Sequence, residues 1–197
     1  MSWDKMPPGR NAEGYPDPTA TEAIASALKS QRGASSRIAG DHFEKIIEYS
    51  LLWYEDRGES VIEKTPEPMK PLGKPNKKRQ FLAHYVKAAQ PDFKGTIHGG
   101  RSVVFEAKHT DTEKIEYSRL TPEQVERMEK HDKLGAACFV LVSFGLNDFY
   151  RIPWKVWERM QDIYGHKHMK QAECEPYRVQ YIAGVLKLLE GIETRFT

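Results

Sequence analysis

The 197-residue chain has few cysteines and no long apolar run. Its two cysteines, Cys138 and Cys174, are too few and too far apart for a disulfide framework or a zinc-binding spacing. No stretch approaches the ~20 consecutive apolar residues that span a bilayer, and residues 1–14 lack the apolar core of a secretory signal. We therefore expect a soluble, cytoplasmic protein rather than a disulfide-stapled secreted domain.

The chain also has little net charge, +2, but the charge is unevenly distributed. Residues 64–87 contain seven basic residues and one acidic residue, so this segment carries +6 and the rest of the chain −4. A local basic patch on a nearly neutral protein indicates either a polyanionic partner at one place or a solvated lysine-rich loop. No glycine-rich phosphate loop is present, which disfavours a nucleotide-modifying enzyme.

Hydrophobic periodicity predicts an α/β fold with a mixed central sheet flanked by helices. A tail (1–36) precedes the core (37–165), which contains a basic insert at about 65–87 too rich in proline for regular structure. A helical extension (166–197) follows. The predicted helices are 37–57, 121–135, 153–164 and 177–192, and the predicted strands are 60–64, 91–97, 101–109, 136–144 and 148–152, with 80–89 a strand or short helix.

Two of the predicted strands, around "PDFKGTI" and "RSVVFEAKH", are joined by His98, Gly99 and Gly100, which suits an antiparallel hairpin. Side chains alternate along a strand, so Glu106 and Lys108 point to the same side. Reflection of Asp92 through the midpoint of the turn places it opposite Glu106. We therefore expect the carboxylates of Asp92 and Glu106 to be cross-strand neighbours, roughly 4.5–8 Å apart.

Two carboxylates at this separation repel each other unless a cation lies between them. A hard divalent ion such as Mg²⁺ binds one or two carboxylates and keeps water ligands, one of which can act as a nucleophile. Lys108, beside such a water, could orient it, help to deprotonate it, or stabilise charge on a phosphate. The alternative is a plain salt bridge at the rim of the sheet.

The pattern Pro91-Asp92, then Glu106-Ala107-Lys108, resembles that of the PD-(D/E)xK nuclease superfamily, which has a restriction-endonuclease-like core. Within it, residues 40–149 resemble the RecU-like Holliday junction resolvases. The similarity includes a helix glutamate after Gly40, a strand followed by Lys-x-Pro-x-Pro, Asp-aromatic-x-Gly, Phe-Glu-Ala-Lys-x-Thr, a glutamine at a helix start, and a Phe-Val-Leu-Val strand. The chain departs from the family pattern at Pro91, in its neutral tail and in its insert.

The resemblance implies specific roles. Asp92, Glu106 and the backbone carbonyl of Ala107 match the metal ligands, Lys108 the catalytic lysine. Glu44 and Gln124 match active-site residues of the first helix and of the helix after the Glu-x-Lys strand, although Gln124 also suits a capping box with Thr121. Thr110 matches a hydroxyl that contacts phosphate. The insert matches the DNA-binding stalk of the family, through Lys70, Lys74, Lys77, Lys78 and Arg79.

The resemblance also implies a function: a homodimeric endodeoxyribonuclease that uses Mg²⁺, with Mn²⁺ as a substitute. Its substrate would be branched DNA, cut at four-way junctions by paired symmetric nicks in recombination and repair. The alternatives are a nuclease of the same superfamily with another DNA substrate, such as a phage or restriction-like enzyme, and a non-catalytic DNA-binding protein of the same fold.

Overall fold

The computed structural model describes residues 18–66, 69–85 and 90–193 of the chain. Contacts divide the chain into two units, residues 1–41 and 42–197, and the sheets belong to the second. The helices are α1 (Pro18–Asp56), α2 (Pro122–Lys133), α3 (Trp154–Glu158), α4 (Met160–Tyr164) and α5 (Gln171–Cys174), with 3-10 turns at Tyr117–Arg119 and Glu175–Tyr177.

The strands are β1 (Ser60–Lys64), β2 (Met69–Pro71), β3 (Ala83–Tyr85), β4 (Phe93–Ile97), β5 (Ser102–Thr110), β6 (Lys114–Glu116), β7 (Ala137–Phe144), β8 (Asp148–Pro153), β9 (His168–Lys170), β10 (Arg178–Val179), β11 (Tyr181–Ile182) and β12 (Val185–Leu186). Six of them form the main sheet in the order β1-β4-β5-β7-β8-β10. β5 and β7 are parallel and the other neighbours are antiparallel, so the sheet is mixed.

The two faces of the sheet carry separate hydrophobic cores. On one face, the predicted stripe of α1, with Phe43, Ile47 and Leu51, packs against the stacked rings of Phe93, Phe105 and Phe139, whose centroids are 4.8 and 4.7 Å apart. On the other face, Met128 of α2 and the tryptophans of α3 cover Val104 and Val140. β7, predicted as the central strand, is buried along its whole length. The predicted α/β class with a mixed sheet flanked by helices is confirmed.

Helix α1 begins at Pro18, well before the predicted start near residue 37. Residues 20–31 contain several alanines, which have the highest helix propensity, and the helix therefore extends into the predicted tail. Residues 1–17 of that predicted tail lie outside the described residues. The predicted helix 153–164 is also interrupted, because Arg159 separates α3 from α4.

The predicted helix over residues 177–192 is wrong. The segment forms β10, β11 and β12, and β11 turns into β12 at Ala183 and Gly184, which have φ angles of 50° and 83°. Leu186, Leu188 and Leu189 are buried in the core beside α1, and the backbone N–H of Leu186 donates to Ser50 Oγ at 2.9 Å. The apolar residues of this segment contact the core from short strands and turns, and their spacing in the sequence happens to resemble that of a helix.

Candidate active site and DNA-binding hairpin

Asp92 and Glu106 face each other across the β4–β5 hairpin. Phe93 pairs with Phe105, so the next residue outward on each strand brings Asp92 opposite Glu106, as reflection through the turn predicts. Gly99 and Gly100 close the hairpin with φ angles of 88° and 80°, a left-handed conformation that glycine adopts without a steric penalty. The backbone N–H of Ala107 donates to Asp92 Oδ2 at 3.0 Å, which ties the two strand ends together.

Lys108 lies between the two carboxylates. Its Nζ is 2.8 Å from Glu106 Oε2 and 3.3 Å from Asp92 Oδ2. The Glu106 side chain is fully buried, and the Lys108 and Asp92 side chains are 13% and 27% exposed. The cluster is therefore open to solvent on the side of Asp92, and Glu106 lies at its buried end.

Burial raises the pKa of Glu106 above its ordinary value, and the neighbouring Asp92 carboxylate adds to this rise while Lys108 opposes it. For Lys108, burial is the largest effect and lowers the pKa, but Asp92 and Glu106 together raise it above the ordinary lysine value. Lys108 is thus a charged ammonium at neutral pH. The Oε1 atom of Glu106 is buried without a hydrogen-bond partner, which is costly for a carboxylate oxygen.

Gln124 forms the predicted helix cap and also contacts Glu106, and its active-site role stays a prediction. At the N-terminus of α2, Gln124 N donates to Thr121 Oγ1 at 3.3 Å and Thr121 N donates to Gln124 Oε1 at 3.1 Å, which completes a capping box. The Nε2 group of the same side chain donates to Glu106 Oε2 at 2.6 Å. The cap fixes the amide so that its NH₂ group points at the buried carboxylate.

The donor atoms of this cluster fit a hard divalent cation. Asp92 and Glu106 supply carboxylate oxygens, and Glu106 Oε1 has no other partner. The N–H of Ala107 points at Asp92, and in a strand the carbonyl of a residue points the same way as its N–H. Within the described residues no group of three or more His, Cys, Asp and Glu side chains is placed to hold a metal, so a cation here would keep several water ligands, as Mg²⁺ does.

Glu44 lies at the same end of the sheet. Its Oε2 accepts from Lys64 Nζ at 2.6 Å. Lys64 pairs in register with Phe93, and the N–H of the following residue, Thr65, donates to the carbonyl of Asp92 at 2.8 Å. Lys64, which the sequence analysis counted only as part of the basic segment, thus connects Glu44 to the strand that carries Asp92. The active-site role of Glu44 stays a prediction.

The basic insert forms a two-stranded hairpin, in which β2 pairs with β3. The prediction that it lacks regular structure is therefore wrong. Its loop is organised by Asn76, whose Oδ1 accepts from the N–H groups of Lys78 and Gln80 at 2.9 and 3.0 Å. These side-chain bonds add to the backbone bonds that close the loop, from Asn76 N–H to the Gln80 carbonyl and from Arg79 N–H to the Asn76 carbonyl. The candidate DNA-binding residues of the hairpin are all exposed: Lys70, Lys74, Lys77, Lys78 and Arg79. Lys87 lies outside the described residues.

The family model for Recombination protein U matches residues 38–194 of the chain. The chain belongs to the RecU family. It is 32% identical over 120 residues to the Holliday junction resolvase RecU of Streptococcus sanguinis (58% of this chain, 60% of the relative). It is 28% identical over 168 residues to that of Staphylococcus saprophyticus (78% of this chain, 80% of the relative). The predicted resemblance to RecU-like proteins is confirmed, and the match spans less than two thirds of the S. sanguinis relative.

One solved structure is also similar to this RecU-family chain. It is the Holliday junction resolvase Hjc of Archaeoglobus fulgidus, with a TM-score of 0.43 and 14% identity, over 66% of this chain and 91% of that one. Within its described residues, the RecU-family chain contains no helix with the length and apolar character needed to cross a bilayer.

Thr110, the remaining predicted site residue of this RecU-family chain, lies at the end of β5 and is buried. Its Oγ1 lies 2.8 Å from Thr112 Oγ1 and accepts from the N–H of Thr112 at 3.2 Å. These bonds hold the turn that leads into β6. The predicted phosphate contact of Thr110 stays a prediction.

Proposed function

We propose that this chain is a divalent-metal-dependent endodeoxyribonuclease that cuts branched DNA, with the four-way junction as its preferred substrate. The observation that carries the proposal is the position of Lys108 between the paired carboxylates of Asp92 and Glu106. Membership of the RecU family supports the endonuclease class, and the relatives in S. sanguinis and S. saprophyticus are named Holliday junction resolvases.

Asp92, Glu106 and the Ala107 carbonyl would hold a Mg²⁺ ion, for which Mn²⁺ would substitute. When bound, the ion polarises a phosphoryl oxygen and lowers the pKa of a water molecule. The protein residues supply the rest. Asp92, partly exposed, faces the entering phosphodiester. Gln124 donates a hydrogen bond to Glu106 and so orients its carboxylate.

Lys108 has a different part in hydrolysis. Its ammonium would contact the phosphate oxygens, where negative charge grows in the transition state. The attacking water oxygen forms a bond to phosphorus and gives up a proton to solvent, and the bond from phosphorus to the leaving sugar oxygen breaks as that oxygen takes up a proton from solvent. Because the Lys108 side chain is largely buried, water screens the attraction between its ammonium and the phosphate only weakly.

Paired symmetric nicks require two active sites related by a two-fold axis, so the proposal includes a homodimer. A dimer would have roughly twice the 22.7 kDa mass of the chain in light scattering. A strict monomer, with and without DNA, would remove symmetric resolution and leave a simple nicking activity.

The test is a side-by-side cleavage assay with a four-way junction, linear duplex and single-stranded DNA of matched sequence. We expect cutting of the junction with Mg²⁺ or Mn²⁺ and none in chelator. Preferential cutting of duplex or single strands would support a nuclease of the same superfamily with another DNA substrate. Binding without cutting under all metal conditions would support a non-catalytic DNA-binding protein.

A further inference from the structure

A second group of charges lies beside the proposed active site, on β4. Lys94 follows Asp92 by two residues, so both side chains are on the same side of the strand. Lys94 pairs with Val104, which packs in the core under α2, so this is the face that α2 partly covers. The Lys94 side chain is exposed, and its Nζ donates to the neutral Gln90 Oε1 at 2.8 Å.

Helix α2 carries further basic residues near this face of β4. Arg127 and His131 follow Gln124 by three and seven residues, so the three lie along one stripe of the helix. His131 is half-buried, and its pKa is lowered by burial first and then by the charges of Lys94 and Arg127. Gln124 at the start of α2 contacts Glu106, and β7, which follows α2, begins at Ala137 beside Val103, so α2 runs back along β5, the neighbour of β4. The effect of Lys94 on the pKa of His131 agrees with this course.

These two cations lack the partners that other cations of α2 have. Lys130 forms an ion pair with Glu126, and Lys133 with Glu129. Within residues 18–66, 69–85 and 90–193, neither Lys94 nor Arg127 has a carboxylate within ion-pair distance. Glu63 pairs with Lys94 in the sheet register without forming an ion pair. Lys94 and Arg127 therefore have no ion pair to break before they bind an anion.

The space next to the cations is open. On the same face, Val61 and Thr96 are exposed neighbours on β1 and β4, so α2 leaves this edge of the sheet uncovered. We refer to the exposed face of β4 and the adjacent Gln124–His131 stripe together as the groove. Two residues along a strand cover about 7 Å, so Lys94 lies about that distance from the Asp92 end of the groove.

We infer that Lys94 and Arg127 bind the phosphate backbone of the strand being cut, on one side of the scissile bond. This site is separate from the β2–β3 hairpin. The inference rests on the proposed function, because it places the scissile phosphate at Asp92 and Glu106. The role of the two cations is to fix the register of the DNA strand, since phosphate contacts position a nucleic acid without reading its sequence.

The test compares two double variants that remove the same charge. Lys94→Gln with Arg127→Gln changes the groove, and Lys130→Gln with Lys133→Gln is the matched control on the solvent side of α2. Binding to a four-way junction is measured in chelator at several salt concentrations. We expect the groove variant to lower the slope of log K against log salt by about two units and to weaken binding at least tenfold, with a much smaller change in the control.

A second measurement locates the contact. Single phosphates near the cut site are replaced one at a time by neutral methylphosphonates. We expect one or two positions, all on one side of the scissile bond, to weaken binding of the wild type and of the control variant but not of the groove variant. Thermal unfolding of both variants checks that these exposed substitutions leave the fold intact.

The outcomes separate the two proposals. If the wild type cuts junctions while the groove variant keeps the salt slope and methylphosphonate profile of the control, the groove inference is wrong and the proposed function stands. If the wild type neither binds nor cuts branched DNA, both are wrong. If methylphosphonate effects persist in the groove variant, the backbone contact belongs to other residues.

Discussion

Gln124 Nε2 donates to Glu106 Oε2 at 2.6 Å, which joins the first turn of α2 to the buried carboxylate of β5. The same amide accepts from the N–H of Thr121. The Gln124 side chain therefore takes part in the helix cap and also forms a hydrogen bond to a candidate metal ligand. The orientation of Glu106 depends on the position of α2, and a change at the cap reaches the active site directly.

Substitution of Gln124 separates the two roles. Glutamate completes a capping box as well as glutamine does, so Gln124→Glu keeps the cap but places a carboxylate beside Glu106. In chelator we expect Gln124→Glu to be less stable than the wild type near pH 8, and the difference to shrink near pH 5 as the carboxyls protonate. Gln124→Ala should lose about 0.5–1 kcal/mol at both pH values. Urea unfolding measures both, and equal pH profiles of the two variants would contradict the coupling.

Asp92→Asn should abolish metal-dependent cutting, with a loss of at least ~10²-fold in rate. Binding of the uncut junction should be retained or become tighter, because removal of a negative charge reduces repulsion of phosphate. Glu55→Gln, an exposed acid of α1, is the control and should cut normally. Calorimetric titration of Mn²⁺ should show weakened metal binding in Asp92→Asn alone. Cutting at the wild-type rate would mean that the site is misassigned.

The raised pKa of Glu106 predicts a pH dependence of the metal-free protein. The folded state holds this proton more tightly than the unfolded state, so the stability contribution is complete below the unfolded value of about 4.5 and is lost as pH rises through the folded pKa. In chelator, the unfolding free energy of the wild type should fall between about pH 5 and pH 9 more than that of Glu106→Gln. Saturating Mg²⁺ should reduce this fall. Parallel profiles of the two proteins would contradict the burial effect.

Gly95 permits the close approach of β1 to β4. A Cβ atom there would lie 2.0 Å from the carbonyl oxygen of Val61 and 2.4 Å from the Cα of Ile62. Gly95→Ala must therefore push β1 away, and we expect a loss of about 3 kcal/mol in unfolding free energy. Gly73→Ala, where the added Cβ meets no atom within 4 Å, is the control. Equal melting temperatures of the two variants would show that β1 shifts freely.

The β2–β3 hairpin is expected to give junction selectivity. Neutralising Lys74, Lys77, Lys78 and Arg79 together should weaken four-way junction binding far more than duplex binding, because a projecting basic hairpin can enter the open junction centre where phosphates crowd together. Each cation lost should lower the salt slope by about one unit. The control neutralises four exposed cations elsewhere: Lys45, Lys130, Lys133 and Lys167. Equal losses on both DNAs would make the hairpin a general electrostatic patch. Residual cutting should still require a divalent ion.

The sequence by itself determined the features that depend on neighbouring residues. Alternation along the strands and two glycines at the turn were enough to place Asp92 opposite Glu106. The order Thr121, Pro122, Gln124 was enough to predict the capping box of α2. These features are local, because a hairpin register and a helix cap are set by backbone geometry within a few residues.

Tertiary structure decided what depends on distant segments. The burial of Glu106 and its bond to Gln124 follow from how α2 packs on β5 and β7. Residues 177–192 have apolar spacing that suits a helix, yet they form short strands because Leu186 and Leu188 are buried against α1. Local propensities differ by less than about 1 kcal/mol per residue, and burial of a large apolar side chain contributes about 2 kcal/mol, so packing determines the structure of such a segment.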